Sequence, residues 1–529
     1  MVNGDPSQDI RIFGDPCPAS GTGSGGLVYL DNYDPVAGTG DVTVLSSAAG
    51  SSPRVIGKNG GTGGIYPGST GARIQRDGSR LLTLANVDVV TGALVKMELP
   101  DGPVTTLAQH VRVENYDFLP DGGILYVGNY ARNIAAAEYS TGDIVRWDDG
   151  ARQTLATEVN RFDFFMYRLS PDALRIAYVK NLDVSGGDLY VQPVAAGSTA
   201  VLVDTRVESM AFASDGSLVY WQNDTDGTSY HLWVVPAAAT SPSQSVSIAS
   251  EVNRVAVEGD TVVYQAGWDI LGRTEELWQA TTAGGAGVQL AARAADAIAV
   301  FLGGGGGGSL VFTDGYDPDR GTAVLRWTPL GAGAGTTLDD VGMTPGGGLH
   351  FSPQGGWLAY TMGYTNPVTV SDPLPQPGIA AQLEVVNLTS GARSLLGSQA
   401  SVQRVAWASD DSAVAAVADL DLTSNSGRLI VAPLAPTGGG GTWLEADRVG
   451  ALAFAFGEPG YGAGRSIAAL RAWNDALQRG ELILAPVQAQ ASAQAVDVDV
   501  TFFMPPRGGR ILYAVRGGGR DGIWLYAPR

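Results

Sequence analysis

The chain repeats a short pattern of apolar and polar positions along most of its length. An apolar residue precedes a tight polar turn, and the short apolar strand that follows often ends in an aromatic residue. Glycine tolerates a positive φ angle and proline presets the turn, so each Pro-Asp-Gly or Ser-Asp-Gly step predicts a reversal between two strands. The closest copies are FLPDGGILY at 118–126, LSPDALRIAY at 169–178, FASDGSLVY at 212–220 and FSPQGGWLAY at 351–360.

Weaker copies extend the pattern in both directions. Successive strand-end aromatics lie 42 to 52 residues apart. A period of about 45–50 residues is typical of β-propeller blades and not of helical repeats. The aromatics are Tyr126, Tyr178, Tyr220, Tyr264, Phe312 and Tyr360, and the weaker copies are IQRDGSRLL at 74–82, VEGDTVVY at 257–264, WASDDSAVAA at 407–416 and FMPPRGGRILY at 503–513.

Each repeat continues into further strands. Third strands such as DLYVQPV at 188–194 and QLEVVNL at 382–388 follow a polar loop, and a second small turn leads to a fourth strand. Alternating apolar positions predict half-buried antiparallel strands, and four strands make one blade. The best helical candidate, residues 468–478, fits a strand followed by a loop equally well. The predicted fold class is all-β.

Counting the turns predicts a β-propeller of about ten or eleven four-stranded blades. One ring usually holds about 4–8 blades, so we predict two propellers, with one large ring as the alternative. The predicted organisation is an N-terminal arm or closing strand at 1–25, a first set of blades at 26–270 and a second set at 271–529.

The apolar-Ser-Pro-Asp-Gly-x-x-Ile/Leu-Ala-Tyr pattern resembles the PD40, or TolB-like, repeat, a WD40-like β-propeller family. The resemblance covers roughly residues 26–529, although several copies lack the Ser-Pro pair or the glycine. It implies a propeller and, by analogy with TolB, work in complexes of the bacterial envelope. Because this fold hosts many activities, the resemblance by itself does not identify one.

Charge narrows the range of partners. The chain has 33 basic and 53 acidic residues, a net charge of −20 at pH 7. Such a surface repels phosphate backbones and anionic membranes, so nucleic acid is not an expected partner. No run of about 18 apolar residues predicts a transmembrane segment. The low lysine and cysteine content favours an exported bacterial protein that is periplasmic, outer-membrane-associated or extracellular.

The one cysteine, Cys17, lies in a loop-like stretch near the N-terminus. A single thiol excludes an internal disulfide and a cysteine-based zinc site. Cys17 is either a spare thiol in a flexible arm or the lipid anchor of an exported protein. Residues 1–16 lack the basic and apolar regions of a signal peptide, which leaves a cytoplasmic location or a removed signal open.

The loops between second and third strands are long and rich in aspartate, asparagine and aromatic residues, and the family fold implies that they share one face. Aspartate and asparagine there cap turns while aromatics cover blade ends. Alternatively, the loops form a binding face for a glycan or a peptide. The candidate binding residues are Tyr33, Tyr130, Trp221, Trp268, Tyr316, Tyr364 and Trp473.

Cofactor and catalytic motifs are scarce. Asp314, Asp317 and Asp319 offer oxygen ligands suited to Ca²⁺ without the strict spacing of a calcium loop, and no other cofactor is expected. The sequence has no Gly-x-Ser-x-Gly elbow and only three scattered histidines. We therefore predict a non-catalytic scaffold that binds a protein or a glycan. The alternative is a polysaccharide hydrolase or lyase with carboxylates in a propeller channel.

Overall fold

The structure is a computed structural model of the chain. It describes residues 11–13, 26–34, 37, 39–46, 51–61, 71–88, 90–113, 115–133, 139–161, 165–195, 197–223, 229–237, 244–269, 274–285, 287–294, 298–301, 308–317, 322–333, 335–339, 349–364, 379–401, 405–421, 423–434, 444–450, 453–457, 466–487, 492–506, 510–517 and 519–526.

The chain divides into two compact units. The N-terminal unit contains Val2–Glu251 and Thr282–Gly285, and the C-terminal unit contains Val252–Thr281 and Ala286–Arg529. Residues 11–13 of the predicted N-terminal arm form a strand that pairs with the next strand of the chain. The predicted boundary between residues 270 and 271, and the assignment of one ring to each half, stay predictions.

The strands of the N-terminal half are short and antiparallel. They are β1 (Arg11–Phe13), β2 (Gly26–Asp34), β3 (Thr39–Ser46), β4 (Arg54–Gly60), β5 (Arg73–Ile74), β6 (Arg80–Ala85), β7 (Thr91–Glu98), β8 (Val104–Arg112), β9 (Tyr116–Phe118), β10 (Ile124–Ala131), β11 (Thr141–Asp148), β12 (Ala151–Asn160), β13 (Arg168–Leu169), β14 (Arg175–Asp183), β15 (Gly186–Pro193), β16 (Val201–Phe212), β17 (Leu218–Asn223), β18 (Tyr230–Val235) and β19 (Val246–Glu258).

The remaining strands follow the same plan, with one 3₁₀ turn at Asp475–Leu477. They are β20 (Thr261–Asp269), β21 (Thr274–Thr281), β22 (Val288–Ala294), β23 (Ile298–Phe301), β24 (Ser309–Asp317), β25 (Thr322–Pro329), β26 (Thr336–Asp339), β27 (Leu349–Phe351), β28 (Trp357–Tyr364), β29 (Ile379–Asn387), β30 (Arg393–Ser401), β31 (Val405–Trp407), β32 (Ala413–Asp421), β33 (Ser426–Pro433), β34 (Leu444–Gly450), β35 (Phe454–Phe456), β36 (Ser466–Asn474), β37 (Arg479–Pro486), β38 (Gln494–Phe503), β39 (Ile511–Val515) and β40 (Gly522–Tyr526).

Four-stranded meanders repeat along the chain. Sheets with the orders β1-β2-β3-β4, β5-β6-β7-β8, β23-β24-β25-β26, β27-β28-β29-β30 and β31-β32-β33-β34 are separate units. Strand β38 ends one meander, where it pairs with β37, and then begins the next, where it pairs with β39. A fourth strand that leads directly into the first strand of the following sheet is the connection of a β-propeller.

The strand-end aromatics explain why the repeat folds this way. Tyr126, Tyr220, Phe312 and Tyr360 are each at most 1% exposed. One core cluster joins Leu82 and Leu84 of β6 to Tyr126 of β10, so it fills the space between two successive sheets. Because each sheet is covered on both faces, its second strand is apolar on both sides. The predicted all-β propeller fold is confirmed, whereas the number of blades stays a prediction.

Candidate functional site

A pocket of about 340 Å³ lies in the C-terminal unit. Two first strands contribute to it, β35 and the last residues of β38, together with residues at the loop end of the intervening sheet. An aromatic and largely apolar wall encloses a space with a polar rim. The lining residues are Asn425, Ala453, Phe454, Ala455, Leu470, Trp473, Gln478, Thr501, Phe502, Phe503, Met504 and Pro505.

The apolar wall follows from the sequence of the two first strands, FAF at 454–456 and TFF at 501–503. Successive side chains of a strand point to opposite faces. Phe454 is fully buried and Phe503 is 8% exposed, each in a core cluster between sheets. Phe502, which points the other way from Phe503, stays half-buried and lines the pocket.

Trp473 forms another wall of the pocket and is 8% exposed. Its ring packs flat on the backbone of Gly450, where a β-carbon would lie only 2.9 Å from Cδ2 of Trp473. Only a residue without a side chain lets the ring approach so closely. The sequence prediction placed Trp473 in a loop, whereas the structure places it in β36. The candidate helix at 468–478 is this strand followed by the 3₁₀ turn.

Asp475 stands beside the pocket without lining it, and its carboxylate holds three of the lining side chains. Asp475 Oδ1 accepts hydrogen bonds from Trp473 Nε1 at 3.3 Å, Asn425 Nδ2 at 3.2 Å and Gln478 Nε2 at 3.0 Å. Asn474 accepts a hydrogen bond from the backbone of Leu477 and so caps the 3₁₀ turn that carries Asp475. The wall and rim are therefore held in place before any ligand arrives.

The N-terminal unit has charged residues on its first strands instead. Arg73 of β5 lies 5.9 Å from the ring centre of Tyr116 in β9, and Asp117 follows Tyr116. Burial raises the pKa of Asp117, against a hydrogen bond from Phe118 N and the charge of Arg73, which act in the opposite direction. The Asp117 side chain is nevertheless exposed to water. The raised pKa reflects the protein atoms around the carboxyl group, although the residue itself reaches solvent.

Tyr167, immediately before β13, belongs to the same charged group. Burial and the negative charge of Asp117 raise the pKa of the Tyr167 hydroxyl, while Arg73 lowers it. Next to it, the Arg168 guanidinium lies 3.7 Å from the ring centre of Phe165. Three successive first strands, β5, β9 and β13, thus bring Arg73, Asp117 and Tyr167 within electrostatic range of one another.

A second pocket, of about 370 Å³, lies at the turns between first and second strands in the N-terminal unit. Arg146 lines it and forms ion pairs of 2.7 Å with both Asp121 and Asp148. Burial acts to raise the pKa of Asp121, but a hydrogen bond from Gly123 N, followed by the hydrogen bond and charge of Arg146, holds it below its usual range. The charges of this pocket are largely satisfied internally, which makes it the weaker candidate for a ligand.

Most of the predicted binding aromatics share one structural position. The structure places Tyr130, Tyr316 and Trp473 in β-bulges at the end of the second strand, between residues 128 and 131, 314 and 317, and 471 and 474. Trp221 instead lies in regular pairing, opposite Ser209 and Leu232. A bulge re-aims the side chain that it carries.

The described aromatics form no common cluster among the described contacts. Tyr130 and Trp221 lie on well-separated strands of one 14-stranded sheet, and Tyr316 and Trp473 lie on two other sheets. Tyr130 packs on a core cluster and under the guanidinium of Arg112, 5.4 Å from its ring centre. Tyr316 and Trp221 are half-buried. The side chains of Tyr33, Trp268 and Tyr364 lie outside the described residues, as do Cys17 and Asp319. Their binding roles, and that of Trp473, stay predictions.

The asparagines of the predicted loops are engaged locally. Asn129 has a left-handed φ of 50° and donates through Nδ2 to Asp143 Oδ2 at 2.7 Å. Asn32 and Asn181 have the same conformation and donate to Asp41 and Asp188 at 3.0 Å and 2.8 Å. These side chains clasp the second strand to the third. They act as turn residues, one of the two interpretations that the sequence allowed.

No metal site is formed by the part of the chain that the structure describes, since it contains no group of three histidine, cysteine or acidic side chains placed to hold an ion. Asp314 forms an ion pair of 3.1 Å with Arg326. Calcium at Asp314 and Asp317 stays a prediction. Among the same residues, no helix is long and apolar enough to cross a membrane.

The sequence analysis did not single out the two groups of residues described above, the apolar pocket and the charged group around Asp117. Phe454 and Phe502 lie in weakly repetitive first strands, and Asp117 directly follows a buried tyrosine within β9. Asp475 lies two residues after Trp473, in a loop that the sequence analysis predicted, but it was not chosen as a candidate residue. The available signal was the contrast between FAF or TFF in one half and YDF in the other.

No family model and no curated protein matches the chain. A eukaryotic initiation factor structure matches 77% of this chain and 93% of its own at 9% identity, with a TM-score of 0.40. The tricorn protease matches 99% of this chain but only 57% of its own at 12% identity, with a TM-score of 0.26. TolB from Acinetobacter baumannii matches 61% and 77% at 14% identity, with a TM-score of 0.25.

The chain spans less than two thirds of the tricorn protease. At such low identities and TM-scores, these similarities do not indicate what this chain binds or does. The class of protein rests on the strand order and the packing of successive sheets: the chain is an all-β protein of the β-propeller type. Membership of the PD40 family stays a prediction.

Proposed function

We propose that the chain is a non-catalytic binding scaffold that holds a ligand at the loop end of its blades. The observation that carries this proposal is the pocket with Asp475 at its rim. Three of its side chains are already held by hydrogen bonds to Asp475, so they lose little conformational entropy when a ligand enters. A recess with apolar walls and a few fixed polar groups is the usual form of a binding site.

A protein ligand fits this pocket better than a glycan does. Sugars bind on exposed aromatic faces, but Trp473 is 8% exposed and its ring is packed on Gly450. The half-buried Phe502 and Met504 present further apolar surface. Such walls match an apolar side chain more closely than a ring of hydroxyl groups.

Binding and turnover are separated by one experiment. The full chain is incubated with a peptide library and with a glycan array, and bound ligands are recovered and weighed by mass spectrometry. We expect ligands to be recovered intact and Phe502→Ala to weaken binding at least tenfold. Phe118→Ala is the matched control, because Phe118 is also a half-buried phenylalanine on a first strand, in the other unit. Ligands recovered as cleaved products would contradict the proposal.

A second candidate function is a polysaccharide hydrolase or lyase, which the raised pKa of Asp117 favours. A carboxyl group with a raised pKa holds its proton more readily and is better suited to act as a general acid. In that case Asp117→Asn abolishes cleavage of polysaccharides while Phe502→Ala does not. If the scaffold proposal is correct, Asp117→Asn leaves ligand binding at the pocket unchanged.

The cellular location belongs to the proposal as well. A periplasmic, outer-membrane-associated or extracellular scaffold is supported by the low lysine content and the single cysteine. Labelling of intact cells with a membrane-impermeant reagent tests this location. A lipid anchor at Cys17 predicts a mass increase that Cys17→Ser removes.

A further inference from the structure

We infer that the pocket at Trp473 takes a large apolar side chain of a protein segment in which a neighbouring residue is lysine or arginine, with Asp475 as the partner of the positive charge. The inference rests on the proposed binding function and adds the chemistry of the ligand. Pocket size, the hydrogen bonds of Asp475 and the charge of the chain support it independently.

The size of the pocket sets the size of the anchor. Ligand pockets usually measure about 300–1,000 Å³, and this one, at about 340 Å³, lies at the lower limit. It has room for one large side chain. Its walls of Phe454, Phe502 and Met504 offer no charge to an entering group, so an aliphatic or aromatic side chain gains most by leaving water.

Asp475 supplies the charge at the rim. A carboxylate accepts about four hydrogen bonds on its two oxygens. The three bonds from Trp473, Asn425 and Gln478 all converge on Oδ1, and within the described residues no hydrogen bond reaches Oδ2. Asp475 is half-buried, so Oδ2 is open to a cationic group on a ligand at the rim.

The position of Asp475 explains why the basic residue neighbours the anchor. Its carboxylate lies 3.3 Å from the indole nitrogen of Trp473, which is itself part of the pocket wall. Consecutive residues of an extended segment are about 3.3 Å apart. Successive side chains of an extended segment point to opposite faces. A lysine or arginine next to the anchor therefore reaches Asp475 through its long, flexible stem, which turns back towards the pocket.

The overall charge favours the same ligands. At −20, the chain attracts basic segments and repels acidic ones before contact. This long-range effect adds to the local ion pair and is distinguishable from it, because only the long-range effect persists when Asp475 alone is neutralised.

The test uses short synthetic peptides and the full chain. N-acetylated, C-amidated fluorescent hexapeptides carry phenylalanine, leucine or alanine as the anchor and lysine, glutamine or glutamate beside it. Fluorescence polarisation measures Kd at low and physiological salt. We expect apolar anchors to bind at least tenfold tighter than alanine, and lysine beside the anchor to improve affinity about fivefold over glutamine.

Asp475→Asn isolates the charge, since its amide oxygen still accepts the hydrogen bonds that fix the wall. At physiological salt, which screens the long-range attraction, this variant is expected to remove the preference for lysine over glutamine. Asp101→Asn is the matched control: it removes one negative charge from an exposed residue of the N-terminal unit. It is expected to keep the lysine preference.

Two results overturn the inference and leave the scaffold function standing. One is binding that ignores the residue beside the anchor in wild type and in Asp475→Asn alike. The other is binding of glycans alone, lost in Phe502→Ala. If neither peptides nor glycans bind the folded chain, the proposed function itself fails, and thermal melting of each variant establishes that the chain is folded.

Discussion

The two units share one backbone repeat, but the first strands that form the two candidate groups differ in chemistry. In the N-terminal unit, β5 and β9 carry Arg73 and Asp117, which belong to a charged group. In the C-terminal unit, β35 and β38 carry Phe454 and Phe502, and the recess is an apolar pocket. The repeat decides where a side chain stands, and the identity of that side chain decides what it can bind.

The loop ends of the two units differ in a related way. In the N-terminal unit the left-handed residue at the end of the second strand is asparagine at 32, 86, 129 and 181. In the C-terminal unit the same position holds Gly267, Gly315, Asp419 and Ala472. Asparagine accepts this conformation and adds a hydrogen bond to the third strand. This bond is present at Asn32, Asn129 and Asn181, each of which donates to an aspartate of the third strand. In the C-terminal unit Asp419 instead forms an ion pair with Arg428 of the third strand.

The largest effect is expected from Phe454→Ala. This side chain is fully buried in a core cluster of the C-terminal unit, so its loss leaves a cavity and lowers the free energy of unfolding by about 3–5 kcal/mol. Phe118→Ala, at a half-buried first-strand position of the other unit, is expected to cost clearly less. Guanidinium unfolding followed by fluorescence measures both. Equal losses would contradict the contrast between the two sets of first strands.

A methyl group at Gly450 tests the close packing of Trp473. The new β-carbon lies 2.9 Å from Cδ2 of Trp473, so the ring must move. We expect Gly450→Ala to destabilise the chain by about 1–3 kcal/mol and to weaken peptide binding. Gly333→Ala is the control, because no atom lies within 4 Å of its new β-carbon. An unchanged melting temperature of Gly450→Ala would show that the ring is not held there.

Exchanging the loop-end residues sharpens the comparison between the units. Asn129→Ala loses the hydrogen bond to Asp143 and leaves alanine at a φ of 50°, so we expect a loss of about 1–2 kcal/mol. Ala472→Asn brings asparagine to the same conformation in the C-terminal unit and is expected to add about 0.5–1 kcal/mol. Thermal unfolding measures both changes, and destabilisation by Ala472→Asn would contradict the account.

The smallest effect concerns Asp117 and depends on pH. Its pKa is raised in the folded state, so folding favours the protonated form. Stability is then greatest below the ordinary pKa of about 3.9 and falls as the pH rises towards the raised value. Asp117→Asn removes this decline, so the variant is expected to match wild type near pH 3 and exceed it at pH 7. A lower stability of Asp117→Asn than of wild type at pH 7 would contradict the raised pKa of Asp117.

The fold was predictable because its signals are local. The tight turns and the apolar alternation depend on neighbouring residues, and the antiparallel strands that they predict are present. Tyr126, Phe312 and Tyr360 lie within their strands and not, as predicted, at the strand ends, and they are buried. The loop-end bulges follow from short-range conformation too, since Asn32 and Asn129 adopt the left-handed φ that asparagine tolerates.

The candidate site was less predictable because it joins distant residues. Asn425 and Asp475 are 50 positions apart, and Phe502 follows after another strand pair. No local pattern shows that three donors converge on one carboxylate oxygen. Trp473 was identified as a loop aromatic, but its burial against Gly450 required the backbones of two sheets to approach each other. Residue type suggested the chemistry, and packing decided which residues share a site.

The peptide's position is seen directly in a crystal structure of the full chain with its tightest lysine-containing hexapeptide. We expect the apolar side chain to pack against Phe502 and Trp473, with the lysine ammonium group at Oδ2 of Asp475. Peptide bound instead beside Arg73 and Asp117 would contradict this expectation, since the charged first strands of the N-terminal unit would then be the binding site.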